Sequence, residues 1–199
     1  MTRFVVIHAG LRVPSTTKLL ADGFAAALAE QESDEVRVIS LRDHAHAIVD
    51  AMLTGLQTEA LTEVIEEVAA AEALVVVTPT FSASYSGLFK SFVDILEPGI
   101  LKGRPVVLAA TGGTARHSLM LDFALRPLLS YLGALPARTG VFAATEDFGG
   151  AAAPQVQRRI QEAVSELRSM MSCAPQRQVR DEYDDVAPFE DLLRGLGRA

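Results

Sequence analysis

The chain has 199 residues, 49% of them hydrophobic but only 6% aromatic, which suits one domain with an aliphatic core. Eighteen basic against 25 acidic residues leave a net charge of −7, the wrong sign for gripping nucleic-acid phosphates. No apolar run reaches the roughly 18–20 residues of a membrane span. The single cysteine, Cys173, excludes a disulfide framework or multi-cysteine metal site within the chain.

Met1 leads directly into Arg3-Phe4-Val5-Val6-Ile7-His8, with no charged leader or cleavage site, so a cytoplasmic protein is expected. Residues 4–7 read as a first strand. Residues 36–39, interrupted by Arg37, make a weaker second. Residues 74–77 and 106–110 are continuous apolar runs without alternation, as in parallel strands covered on both faces. A fifth strand falls within 138–144. Between them, apolar residues recur at helical spacing over 16–30, 59–71, 87–96, 119–132 and 155–171. Within 119–132 the expected apolar face is Met120, Phe123, Ala124, Leu128 and Tyr131. Pro127 lacks the N–H that would bond the Phe123 carbonyl, so that helix should kink or widen between the two.

Five strands alternating with five helices predict a doubly wound α/β sandwich of three layers. No internal repeat or linker divides it, so residues 1–173 form one domain. The composition changes after Cys173-Ala174-Pro175. Residues 174–199 then read as an appendage, in which Phe189, Leu192, Leu193 and Leu196 mark a short helix. That helix packs on its own domain, on a second subunit or on a partner protein.

Ligands of such sheets bind beyond the carboxyl ends of the strands. The loop after the first strand, Ala9-Gly10-Leu11-Arg12-Val13-Pro14-Ser15-Thr16-Thr17, has neither a dinucleotide fingerprint nor a P-loop. It offers Arg12, Ser15 and Thr17 at a helix N-terminus, a combination suited to a phosphate monoester. Ser15 serves equally as a plain helix cap. The loop after the third strand, residues 78–87, combines small hydroxyl residues with Phe81 and Tyr85, fit to approach and wall off a flat heterocycle. Ser86 there reads as a cap. The loop after the fourth strand has Gly112 and Gly113 for close backbone approach, Thr114 for a polarised carbonyl, and His117. For His117 alone the plainer reading, an exposed turn residue, is preferred. A phosphate cradle and two polar walls for a planar ring outline an FMN site.

Three motifs carry a resemblance: Arg12-Val13-Pro14-Ser15 with Thr17; residues 78–90, Thr78-Pro79-Thr80-Phe81 through Lys90; and Ala110-Thr111-Gly112-Gly113-Thr114 with Asp122-Phe123-Ala124-Leu125-Arg126-Pro127. Over residues 3–172 the chain resembles the NADPH-dependent FMN reductases of the flavodoxin-like superfamily. In particular it resembles the small reductases that supply reduced flavin to two-component monooxygenases. The resemblance implies a five-stranded parallel sheet in order 2-1-3-4-5 and a homodimer or tetramer. It implies that Arg12, Ser15 and Thr17 hold the FMN phosphate. Pro79, Thr80, Phe81, Ser84 and Tyr85 would line the isoalloxazine, and Gly112, Gly113 and Thr114 would meet its pyrimidine end, with His117 nearby. NADPH or NADH would stack between Tyr85 and the His117 loop, with loop amides rather than a catalytic side chain stabilising the reduced ring. Two departures stand out: Ala9-Gly10 replaces the family's common Gly-Ser, and Phe123 stands where some relatives carry tyrosine.

Other features carry less. His44-Ala45-His46 lacks a third metal ligand at workable spacing. Asp94 and Glu97 read as solvated, and Cys173 as inert. An FMN-containing quinone or azo reductase is the alternative enzyme on this fold. An electron-transfer module ranks last, because the loops carry Arg12 and Arg116 and no carboxylates.

Overall fold

The computed structural model describes residues 2–31, 33–149 and 153–173. The expected appendage, with its helix at 189–196, lies outside the described residues. The apolar runs form parallel strands β1 (Arg3–His8), β2 (Glu35–Ser40), β3 (Ala73–Pro79) and β4 (Pro105–Gly112). Every residue of β3 is buried, as coverage of both sheet faces requires.

The fifth position differs from the single strand expected at 138–144. It holds two short strands, β5 (Leu135–Pro136) and β6 (Val141–Ala144), each parallel to β4. The sheet order is β2-β1-β3-β4-β5, with β6 also on β4, which is the flavodoxin-like order. Between the two strands the backbone turns to side-chain partners. The Glu166 carboxylate accepts from the amides of Arg138 (2.8 Å) and Thr139 (2.9 Å). Arg126 donates to the Ala137 carbonyl at 2.8 Å. The break thus leaves these groups hydrogen-bonded.

Among the described residues, six α-helices cover the sheet: α1 (Thr16–Leu28), α2 (Ala45–Thr54), α3 (Glu59–Ala70), α4 (Gly87–Asp94), α5 (Arg126–Tyr131) and α6 (Ala153–Cys173). Helices α1 and α6 pack with Phe4, Val6, Val75 and Val77 on one sheet face. Helices α2 to α5 pack with Val5, Ile7, Leu74 and Val76 on the other. Alternate strand residues serve the two cores, as the period of two demands. Helix α2 has no counterpart among the sequence expectations. It buries only Ile48 and Ala51, while Val49, Met52 and Leu53 face outward and blur its periodicity.

The helix expected at 119–132 is split. A π-helical turn, Leu121–Leu125, precedes α5, which opens with Arg126-Pro127. The Arg126 amide donates to the Leu121 carbonyl, five residues back. This is the widening that Pro127 predicts. The wide turn also changes which residues face inward. Met120, Leu121, Leu125 and Leu129 are buried, whereas Phe123 and Tyr131 of the expected apolar face are exposed.

Candidate active site

Loops beyond β1, β3 and β4 meet at one end of the sheet. After His8, the Ala9 amide still bonds the Val77 carbonyl (2.9 Å), so the chain leaves the sheet at Gly10. A Cβ on Gly10 would overlap Ser15 Oγ and stand 3.2 Å from Thr17 Cβ, so a side chain there would push the Ser15 hydroxyl from its capping position and press on Thr17. Leu11, Arg12, Val13 and Pro14 are exposed, with a cis bond between Val13 and Pro14. Ser15 caps α1, its Oγ accepting from the Lys18 amide at 3.2 Å. The expected cap is therefore real, and the rest of the first turn keeps amides without intrahelical acceptors. Lys18 pairs with Asp22 at 2.7 Å, which neutralises that cation. Among the described residues, Arg12 and Arg116 form no ion pair.

The β3 loop is built around buried hydroxyls. Thr78 Oγ1 accepts from the Ser86 amide (3.0 Å), and Ser86 Oγ caps α4 by accepting from the Phe89 amide (3.2 Å). Phe81 and Ser84 exchange backbone hydrogen bonds of 2.9 and 3.0 Å across a tight turn. Its central residues, Ser82 and Ala83, have φ of 48° and 64°, where side chains are strained. Phe81 is exposed, whereas Tyr85 is half-buried and set edge-on to Phe89 with ring centroids 6.1 Å apart. Tyr85 is thus held from behind by α4. Among the described residues, Thr80 Oγ1 is buried without a hydrogen-bond partner.

In the β4 loop, the space a Cβ would occupy on Gly113 is open, while on Gly112 it would meet Phe142 Cζ at 2.7 Å. Thr114 caps a short 3₁₀ turn, Ala115–His117, and its hydroxyl accepts from the Arg116 amide at 3.4 Å. His117 is exposed, as its plainer reading expects.

Two contacts join the loops. Thr17 Oγ1 and Thr111 Oγ1 lie 2.8 Å apart in a buried hydrogen bond. The Thr80 amide donates to the Thr111 carbonyl at 2.7 Å. These bonds bring together the loops carrying the expected residues Thr17, Thr80, Gly112, Gly113 and Thr114. Arg12, Phe81 and His117 remain exposed around them. Thr111 is absent from the expected contacts, although a hydroxyl closing an apolar strand was a visible sign. His8, 4% exposed at the end of β1, is a second omission, and its Nδ1 has no hydrogen-bond partner among the described residues. Burial lowers the His8 pKa and the Lys18 charge lowers it further, against the opposing pull of Asp22 and Asp43. His44 ends a 3₁₀ turn before α2 and His46 is exposed. A separate cavity of about 560 Å³, bordered by Ser118, Leu121, Phe142 and Arg159, shares no lining with the loops after β1 and β3.

Ligand loops at the ends of β1, β3 and β4 on this strand order define a flavodoxin-like α/β protein. Comparison with known proteins narrows the class. Residues 2–149 match the model of the NADPH-dependent FMN reductase family, and the chain belongs to that family. It is 36% identical over 146 residues to an FMN reductase (NADPH) of Pseudomonas aeruginosa, covering 73% of this chain and 78% of that protein. It is 39% identical over 139 residues to the NADH-dependent FMN reductase SfnE of Pseudomonas putida, covering 70% and 75%. Among solved structures, an oxidoreductase from Corynebacterium diphtheriae superposes with a TM-score of 0.80 at 47% identity, covering 86% of this chain and 97% of that one. The apo form of an NADH:FMN oxidoreductase (EMOB) gives 0.75 at 27% identity, covering 94% and 100%. The chain is thus an oxidoreductase that works with FMN and a nicotinamide nucleotide.

Proposed function

We propose that this protein reduces FMN with NADPH or NADH in the cytoplasm and releases the reduced flavin to a partner monooxygenase. The observation that carries the site assignment is the convergence of three loops on Thr111, which sets the N-terminus of α1 beside the end of β4. The residues fit the flavin. Among the described residues, Arg12 has no ion-pair partner, the buried Thr80 hydroxyl has no hydrogen-bond partner, and the backbone at Gly113 is open to close approach. Arg12, Ser15 and Thr17 would hold the phosphate, aided by the helix dipole. Pro79, Thr80, Phe81, Ser84 and Tyr85 would line one side of the ring, and Gly112, Gly113, Thr114 and His117 the other. FMN, when bound, supplies the ring nitrogen that accepts hydride from the nicotinamide.

The chain's own part is positional. Tyr85, braced by Phe89, would give the nicotinamide a fixed wall, and the loop amides would stabilise the negative charge that a bound flavin ring gains. Exposed Arg116 would meet a nucleotide phosphate. Residues 1–173 act as the catalytic domain and 174–199 as its appendage. Exposed apolar residues along 119–131 support a homodimer or tetramer.

Steady-state oxidation of NADPH and NADH in the presence of FMN, FAD or riboflavin tests the reading. The expected result is turnover with FMN and a higher KM for riboflavin, which lacks the phosphate. Flavin that stays bound through gel filtration would instead mark a prosthetic group and an external acceptor such as a quinone. Absence of nucleotide oxidation with any flavin would overturn the proposal.

A further inference from the structure

We propose that Thr111 is a positioning residue for all three ligand loops, and that its hydroxyl tie to Thr17 gives the enzyme its preference for phosphorylated flavin. This inference rests on the reading of the α1 N-terminus as the FMN phosphate cradle. Thr111 is 3% exposed near the end of β4, with Pro79 and Ala143 opposite it on the neighbouring strands. Three connections leave it. Its hydroxyl meets Thr17 Oγ1 at 2.8 Å, in the first turn of α1. Its carbonyl accepts from the Thr80 amide at 2.7 Å, in the β3 loop. Its own chain continues into Gly112-Gly113-Thr114. One residue therefore fixes where the phosphate end, the ring wall and the pyrimidine end stand relative to each other.

The two hydroxyls hold two protons, and the tie uses one. Thr17 is also 3% exposed, so bulk water does not replace a lost partner. Removing the Thr111 hydroxyl leaves Thr17 Oγ1 buried and alone. The first turn of α1 then recovers hydrogen bonding by moving off β4. Leu20, Ala21 and Phe24 still anchor the rest of α1 in the core, so the displacement is confined to its N-terminus. Such a shift weakens contact with a phosphate and leaves ring contacts through Thr80 in place, because the carbonyl bond survives the substitution.

The test compares kcat/KM for FMN and riboflavin in wild type, T111V, T111S, T17V and T17V/T111V, with thermal unfolding of each. Fluorescence titration of the flavin-free protein with FMN and riboflavin supplies a second readout without turnover. T111V is expected to lower the FMN-to-riboflavin ratio roughly tenfold, mainly through KM for FMN. T111S, which keeps the hydroxyl, should hold the ratio within about twofold. T17V removes a proposed phosphate contact as well as the tie, so it should lower the ratio at least as far as T111V, and the double variant should be no worse than T17V, because both substitutions break one bond. Equal losses for both flavins, tracking lowered melting temperature, would reduce Thr111 to a structural role and overturn the inference. If T111V does not fold, T111A, which removes the same hydroxyl without adding a methyl group in its place, decides the same question. A wild type that prefers FMN, with variants that keep the preference, overturns this inference alone. A wild type that treats FMN and riboflavin alike overturns the phosphate cradle and the inference with it.

Discussion

At the scale of single residues, the strand ends hold polar groups that a core of this kind would otherwise exclude. His8 is the sharpest case. It is 4% exposed, its Nδ1 lacks a hydrogen-bond partner among the described residues, and burial with the Lys18 charge lowers its pKa from the ordinary 6.5. The unfolded chain therefore takes up a proton near pH 6.5 while the folded protein does not. Where the unfolded state binds more protons, stability rises with pH. The folded protein thus loses stability as pH falls from 6.5 toward the lowered folded value, and His8 adds no slope above both. A His8→Leu variant removes this slope and the orphaned nitrogen together. Its stability advantage in urea unfolding should be larger at about pH 5.5 than at about pH 8. An advantage that is the same at both would show that His8 is not held neutral. Nothing in the sequence singled out His8, because its burial comes from α1 packing over the end of β1. Gly10, Ser15 and the small residues of the β3 and β4 loops were legible, since turns and caps demand those residue types locally. The tie between Thr17 and Thr111 spans 94 residues and was not.

At the scale of elements, the sequence reading succeeded where one local rule operates and failed where two compete. Strands β3 and β4 and helices α1 and α3 follow directly from apolar runs and helical spacing. The segment 119–132 gave its break correctly because Pro127 has a fixed chemical deficit. It gave its buried face only in part: Met120 is buried and Leu128 packs on the core, but Phe123 and Tyr131 are exposed, because one wide turn shifts the phase of the side chains. Helix α2 was missed because its apolar residues serve two faces. The edge strand was read as one piece because Glu166, which satisfies its break, lies 28 residues from Arg138 and 27 from Thr139. Burial pushes the Glu166 pKa up, but hydrogen bonds from Thr139 and the Arg138 and Thr139 amides, with the Arg138 charge, outweigh it, and the net shift is downward from 4.5. A carboxylate lowered in the fold adds stability above its unfolded value and loses it as pH falls through the folded one. Glu166→Gln should therefore be less stable than wild type at neutral pH, with the gap closing below about pH 4.5. Chemical unfolding at both pH values checks this, and a gap that persists in acid would locate the effect in packing instead.

At the scale of the whole molecule, the apolar surface is unevenly placed. Scattered exposed hydrophobic residues are ordinary, but Leu119, Phe123 and Tyr131 are 63%, 79% and 88% exposed at steps of four and eight. Pro127, also exposed, completes the row. The residues turned inward beside them, Leu121, Leu125 and Leu129, already fill the core, so the row packs against nothing among the described residues. A net charge of −7 works against association unless such a surface opposes it. We therefore expect this row to lie in a subunit interface. Phe123→Glu puts a carboxylate in its middle without touching a buried side chain, so the fold should survive, as circular dichroism would verify. Light scattering after gel filtration should then give a mass below that of the wild type at equal protein concentration. Equal masses for the two proteins would mean that the subunits meet elsewhere or not at all, and the exposed row would need a different occupant.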